Sequence, residues 1–423
     1  MGVGEVYGAT HNWFSRAGGL PDDIIGLSPP GCETVSRHSG RRLSASAQSS
    51  ELLTAVYEID GPASIAQKTA ERICFDQTIE AEDGLLPRSL QSEIVGLIED
   101  LRPTSGKRYE ATIRFRGELL SGDCTDLLNV LFGTSSLRGN VRLLSFTMTE
   151  GLLSAWRGPR FGIETIRRML AVHNRPLLCG VLKPLGRSAQ ELAELATQLV
   201  DGEVDLIKDD QSLVDQRWCP FEERVSRCAE AISDMSQRRG RPCLYFAHVS
   251  GAAETMRKRA ARAKTLGATG LLIAPGLTGL DALRLFSLDE GLHLPIMSHP
   301  TFWGASVGSE RGGLAPGVLY GLLPRLAGAD VTIYPAFGSD YSLSQQDCLS
   351  VAQRCRESWG SLNPAMPAVG GRIGPEQLLE LRRVLGSDVA VVVGSRIQKN
   401  PEGIPAALRA FHRRMRELGP SSV

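Results

Sequence analysis

Two lysines stand where an apolar run gives way to a polar turn: Lys183 closing "PLLCGVLKP" and Lys208 in "VDLIKDDQ". The chain has only seven lysines, at 68, 107, 183, 208, 258, 264 and 399, among 47 lysines and arginines together. Arginine is therefore the default cation, and a lysine beside an apolar run carries information. In an extended segment alternate side chains share a face, so Lys208 and Asp210 point one way and Asp209 the other. Two amines brought into one pocket depress each other's pKa and yield a neutral base or nucleophile. Such an amine can form a Schiff base with a carbonyl substrate. It can also take up CO2 as a carbamate, which turns a cation into an oxygen ligand. Lys208, Asp210 and the neighbouring Gln211 would then supply oxygens to Mg2+, with water and substrate in the remaining positions. The plainer alternative is a solvated charged turn.

Other apolar runs end in residues with chemistry of their own. His299 in "MSHP" is read as a substrate or proton contact, with a packed core histidine as the alternative. "VGGRIGPEQ" and "VVVGSRIQ" put Gly370, Gly371, Gly394 and Ser395 between an apolar run and a helix, where backbone N–H groups can cradle a phosphate. Tight turns would use the same glycines. His248, Pro275 and Tyr334 close the remaining runs.

These residues need elements that bring them together. From Pro176 onward a short apolar run, a Gly/Pro/Asp break and an amphipathic helix recur in eight units. Near-continuous apolar strands alternating with helices mean a parallel sheet covered on its outside. Eight units predict a closed (β/α)8 TIM barrel, whose chemistry lies at the C-terminal strand ends, in an α/β chain. Neighbouring strands lie about 4.8 Å apart, so Lys183 and Lys208 share a pocket. Upstream, "LLTAVYEID" and "YEATIRFRGEL" alternate as strands, while "PASIAQKTAERIC" and "LLPRSLQSEIVGLIEDL" have helical spacing. We expect a flexible arm over 1–48, a smaller α+β (ferredoxin-like) domain over 49–150 and the barrel over 151–423.

Bulk composition removes several function classes. Basic and acidic residues both number 47, which implies no general nucleic-acid or acidic-lipid partner. No apolar run reaches the roughly 18 residues of a membrane span. Nine scattered cysteines without a CxxC pair read as reduced thiols of a cytoplasmic protein.

At "DLIKDDQ" the sequence resembles the large subunit of ribulose-bisphosphate carboxylase, and more closely its non-carboxylating relatives, the RuBisCO-like proteins. The similarity runs from about residue 50 to about 415 and includes "RGPRFGIETIRRML", "PLLCGVLKP", "DLIKDDQSL" with "PFEERV", "PIMSHP", "LAGADVTIYPAFG", "AVGG" and "VVVGS". The resemblance implies that Lys208 is carbamylated, that Asp210 binds Mg2+, that Lys183 moves protons and that the late glycines hold phosphate. It further implies a homodimer, in which Asn140 of "RGNVRLL" completes the partner's site and Asp76 of "CFDQTIE" stands for an acidic contribution.

Some positions depart from the family. The motif normally ends in a glutamate ligand where this chain has Gln211, and an uncharged amide oxygen binds the metal more weakly. After Lys183, "KPLG" falls one residue short of the usual spacing, and the loop "AFGSDYSLS" has no lysine. The resemblance implies a magnesium enzyme that forms an enolate from a phosphorylated keto sugar or sugar acid without fixing CO2. Its closest-looking branch decarboxylates or hydrolyses 3-oxo-isoapionate 4-phosphate. The alternatives are a methylthioribose-salvage enolase or isomerase, a degenerate binding protein and a metal-free Schiff-base aldolase through Lys208.

Overall fold

The computed structural model describes residues 51–417, apart from 82, 83, 308, 310 and 340–342. The arm expected over 1–48 lies outside the described residues. The described residues belong to one compact unit that contains two sheets.

The first sheet holds β1 (Leu52–Asp60), β2 (Leu97–Pro103), β3 (Arg108–Arg116) and β4 (Val141–Met148). Helices Ala63–Asp76 and Cys124–Phe132 cross between them, and the order β4-β1-β3-β2 is antiparallel, the ferredoxin-like arrangement expected. β1 forms because every second residue is buried: Leu53, Ala55, Tyr57 and Ile59 pack inward at full burial.

One expected helix divides. "LLPRSLQSEIVGLIEDL" is helical only over Arg88–Ile94, turns extended at Val95 (ψ 138°), and continues as β2. Ile98 and Leu101 are three residues apart, which reads as helical spacing. A bulge between Ile98 and Asp100 shifts the register by one, so both half-buried side chains pack against the core. The spacing was right and the element was not.

The second sheet closes on itself. β5 (Leu177–Leu182), β6 (Leu206–Asp209), β7 (Leu244–His248), β8 (Gly270–Ile273) and β9 (Ile296–Ser298) are followed by the two-residue β10 (Gly313–Leu314). β11 (Val331–Pro335), β12 (Met366–Gly370) and β13 (Ala390–Val393) complete the set. Excluding β10, the eight strands form a closed parallel barrel, β13 pairing with β5. Leu206, Phe246, Leu272, Met297 and Met366 fill the interior, while Ile207, Tyr245, Ala247 and Leu271 face the helices. This alternation puts Lys208 on the inner face directly after Leu206.

Residues preceding the strands stitch the N-terminal end of the barrel. Asp205 accepts from both terminal nitrogens of Arg175 at 2.6 and 2.7 Å and from Leu178 N at 2.8 Å. Asp330, fully buried, accepts from the backbone N–H groups of Phe161, Gly162 and Ile296 at 2.7 to 2.9 Å. Polar groups at this end of a barrel serve stability.

β10 pairs in parallel with Arg142–Leu143 of β4, and Ala315 N donates to Leu143 O at 2.9 Å. The loop after β9, which starts with His299, is thereby anchored to the first sheet. Gly313 sits there at φ +96°, and a Cβ would lie 2.3 Å from Ser306 O, so no other residue makes this corner. Among the described residues, no helix is long and apolar enough to cross a membrane. The eight described cysteines are free and buried, in line with reduced thiols.

Candidate active site

β5 and β6 run in parallel with Val181 opposite Lys208 and Leu182 opposite Asp209. Lys183 follows β5 directly, and Asp210 follows β6, so the expected cluster assembles at the C-terminal strand ends. Lys208 is 2% exposed and Asp210 9%. Lys183 Nζ lies 3.7 Å from Asp210 Oδ2, and Lys208 Nζ donates to the Asp209 carbonyl at 2.9 Å. Ser212 donates through N and Oγ to the other Asp210 oxygen, at 3.1 and 2.9 Å. The turn after β6 is therefore held by its own aspartate.

Burial pushes the Lys208 amine below its ordinary pKa, and the Lys183 charge adds to this against the opposing pull of Asp210. Burial raises the Asp210 carboxyl, but Lys208, Ser212 and Lys183 outweigh it and hold it below its usual range. The site thus offers a fixed carboxylate beside an amine biased toward its neutral form.

His299 lies close enough to join this cluster. Burial, then the charges of Lys208, His248 and Lys183, keep its ring well below the usual histidine pKa. Its Nδ1 accepts from Thr301 N at 3.2 Å, so its proton sits on Nε2. On the neighbouring strand end, after β13, Gly394 packs on Lys183, since a Cβ there would lie 3.3 Å from Lys183 Cε. Gly371 adopts φ +127°, Gly370 and Gly371 are partly buried, and Ser395 is exposed at the start of a single helical turn.

Asp209 faces outward, as alternation requires, but it is not solvated. It is fully buried and accepts from Arg224 Nε at 3.2 Å, Tyr245 OH at 2.9 Å and His248 N at 3.0 Å. Arg224 comes from helix Phe221–Arg239 and is itself fully buried. The sequence reading missed both Arg224 and Tyr245. A buried acid flanked by charge is a signal, but nothing in the spacing names partners 15 and 36 residues away.

Two expected residues do not join the cluster within this chain. Asn140 Nδ2 donates to the Asp60 carbonyl at 3.2 Å, at the end of the first sheet. Asp76, itself buried, is held by the partly exposed Arg72 at 2.8 Å and Arg138 at 2.5 Å, so its carboxylate is paired rather than open. A surface cavity of about 670 Å³, lined by Ser226, Glu230, Arg241 and Thr269, lies beside the starts of β7 and β8. The chemistry is at the opposite strand ends. Among the described residues no three His, Cys, Asp or Glu side chains form a ready metal cage.

The profile described as "Ribulose bisphosphate carboxylase large chain, catalytic domain" matches residues 162–415. The chain belongs to this family. It is 35% identical over 325 residues to the 2,3-diketo-5-methylthiopentyl-1-phosphate enolase of Geobacillus kaustophilus, covering 75% of this chain and 78% of the enolase. The solved Rubisco-like protein of Rhodopseudomonas palustris superposes with a TM-score of 0.80 at 30% identity, over 88% of this chain and all of that one (100%). The octameric ribulose-1,5-bisphosphate carboxylase/oxygenase of Pyrococcus horikoshii gives a TM-score of 0.81 at 25% identity, over 87% and 88% of the two chains. This RuBisCO-like chain is an enzyme of the large-chain superfamily.

Proposed function

We propose that the protein forms an enolate from a phosphorylated keto substrate, with a carbamate on Lys208 and Mg2+ beside it. The observation that carries this reading is the buried strand-end cluster, where the depressed Lys208 amine lies beside Asp210 and Lys183. The neutral amine adds to CO2: an N–C bond forms, one N–H proton leaves to water, and a carbamate oxygen pair replaces the cation. The donor set fits a hard cation only after that change, because an amine is no ligand for Mg2+ and Asp210 with Gln211 brings a single charge. Bound by Lys208, Asp210 and Gln211, the ion would polarise the substrate carbonyl.

Lys183, after its ammonium has released one proton to water, takes the proton from the carbon beside that carbonyl. The C–H bond breaks, its electron pair forms the carbon–carbon double bond, and the carbonyl oxygen becomes the enolate oxygen. His299 Nε2–H donates to this oxygen as its charge develops. The backbone at Gly370, Gly371, Gly394 and Ser395 holds the phosphate, and the contact of Gly394 with Lys183 keeps phosphate and base close together.

The relative from Geobacillus makes 2,3-diketo-5-methylthiopentyl 1-phosphate the first substrate to test, and 3-oxo-isoapionate 4-phosphate the second. With Mg2+ and bicarbonate, one of them is expected to exchange its carbonyl-adjacent proton in D2O, read by NMR. Silence across both and a wider keto-sugar phosphate panel would sink the reading. No labelled CO2 is expected in products from ribulose bisphosphate, because the chain has no lysine between Lys264 and Lys399 to hold the incoming gas. Borohydride should leave Lys208 unmodified, against a Schiff-base aldolase.

Gln211→Glu is expected to tighten Mg2+ about tenfold by restoring a ligand charge. Calorimetry giving an unchanged dissociation constant would remove Gln211 from the metal's ligands. We further propose that Asn140 completes the site of a second subunit in a homodimer, a reading supported by its place at the end of the first sheet, where it bonds the Asp60 carbonyl and no strand-end residue of the cluster. Sedimentation should give a dimer or larger assembly; a stable, active monomer would end that proposal.

A further inference from the structure

His248 has a hydrogen-bonding pattern that the proposed reaction leaves unexplained. The ring is 1% exposed, and Nδ1 lies 3.0 Å from the Leu213 carbonyl oxygen. That oxygen can only accept, so Nδ1 carries the proton. Nε2 is then a bare lone pair, buried and without a partner among the described residues. A buried acceptor with no donor costs about 1–3 kcal/mol, so the position asks for an occupant.

The barrel register says what lies beside it. Lys208 pairs with Phe246 in the last ladder pair of β6 and β7, and Asp210 and His248 follow two residues on in each segment, where alternation returns side chains to the inner face. His248 N also donates to Asp209 at 3.0 Å, which ties its backbone to the Lys-Asp-Asp segment. The proposed donor set is short of charge at this place, because Gln211 stands where the family's glutamate would.

Resting on the metal reading above, we infer that His248 Nε2 completes the centre with Asp210 and carbamylated Lys208. The resulting mixed nitrogen and oxygen set holds a first-row transition ion more tightly than Mg2+. A histidine that donates Nδ1–H to a backbone carbonyl presents Nε2 in the tautomer a metal requires. Mg2+ favours oxygen donors and retained water, whereas imidazole raises affinity for Fe2+ and Co2+. His299 does not serve in this way, because its proton lies on Nε2.

The test uses the full chain equilibrated with bicarbonate, titrated with Co2+ and Mg2+ by calorimetry and loaded with Mn2+ for pulsed EPR. Co2+ is expected to bind about tenfold more tightly than Mg2+. The Mn2+ signal is expected to carry nitrogen modulation from one imidazole. His248→Gln should remove the modulation and weaken Co2+ about 10–100-fold, while His299→Gln should keep the modulation. His248→Asn retains a donor toward the Leu213 carbonyl, and the same losses in that variant with unchanged circular dichroism separate ligation from folding. Metal bound without nitrogen modulation, or modulation lost in His299→Gln instead, overturns the inference but spares the metal reading. No metal binding at all overturns both.

Discussion

Lys208→Met is expected to lower turnover about 10³-fold while leaving the fold intact. Methionine keeps a similar apolar stem among Leu206, Phe246 and Cys179, so packing changes little. It removes the nitrogen on which the carbamate forms, and no other described group can replace it, since Lys183 is engaged with Asp210. Lys208→Arg is the informative companion: it restores a cation but not a carbamylated amine, and should be equally inactive. The pH dependence follows from the lowered amine pKa. More of Lys208 is neutral at a given pH than for a solvated lysine, so activation by bicarbonate should reach its plateau at lower pH than an ordinary amine allows. Substrate proton exchange with both variants is the measurement, and near-normal exchange in either would take Lys208 out of the reaction.

The second large effect is on stability. Arg224→Met should cost about 3–5 kcal/mol, because it leaves the Asp209 carboxylate buried with only Tyr245 and His248 N as donors. Burial opposes the Arg224 charge, yet Asp209 and Tyr245 outweigh it and hold the guanidinium above its usual pKa. Arg224 Nη2 also donates to Val214 O at 3.0 Å, so the variant loosens the turn after β6. The double variant Arg224→Met with Asp209→Asn removes both charges and should recover much of the loss. Urea unfolding of the two variants decides it: equal destabilisation in single and double variants would show that the pair is not coupled.

The barrel and the clustering of its candidate site at the strand ends were legible because the sequence repeats one physical rule. Apolar runs end in breaks, and two of seven lysines fall on those breaks. Alternation alone separated Lys208 and Asp210 from Asp209. What stayed hidden was whatever the third dimension supplies. Arg224 looks like one more arginine on a helix until the helix packs against β6, and Tyr245 like one more core aromatic until its hydroxyl meets Asp209. His248 was visible as a strand-end residue, but its lone pair depends on the Leu213 carbonyl, which no pattern announces. β2 was misread because a bulge imitates helical spacing.

The short pairing of β10 with β4 limits how this protein can be taken apart. A barrel excised at residue 151 would lose the edge that receives Gly313, Leu314 and Ala315, and with it the far anchor of the loop that begins at His299. The excised piece would leave β10 with no strand to pair with, just ahead of the helix at Gly317–Leu322 that packs against the rest of the barrel. For an engineer seeking a minimal catalyst, the ferredoxin-like layer is therefore scaffolding for the barrel's own chemistry and cannot be trimmed as a spare module.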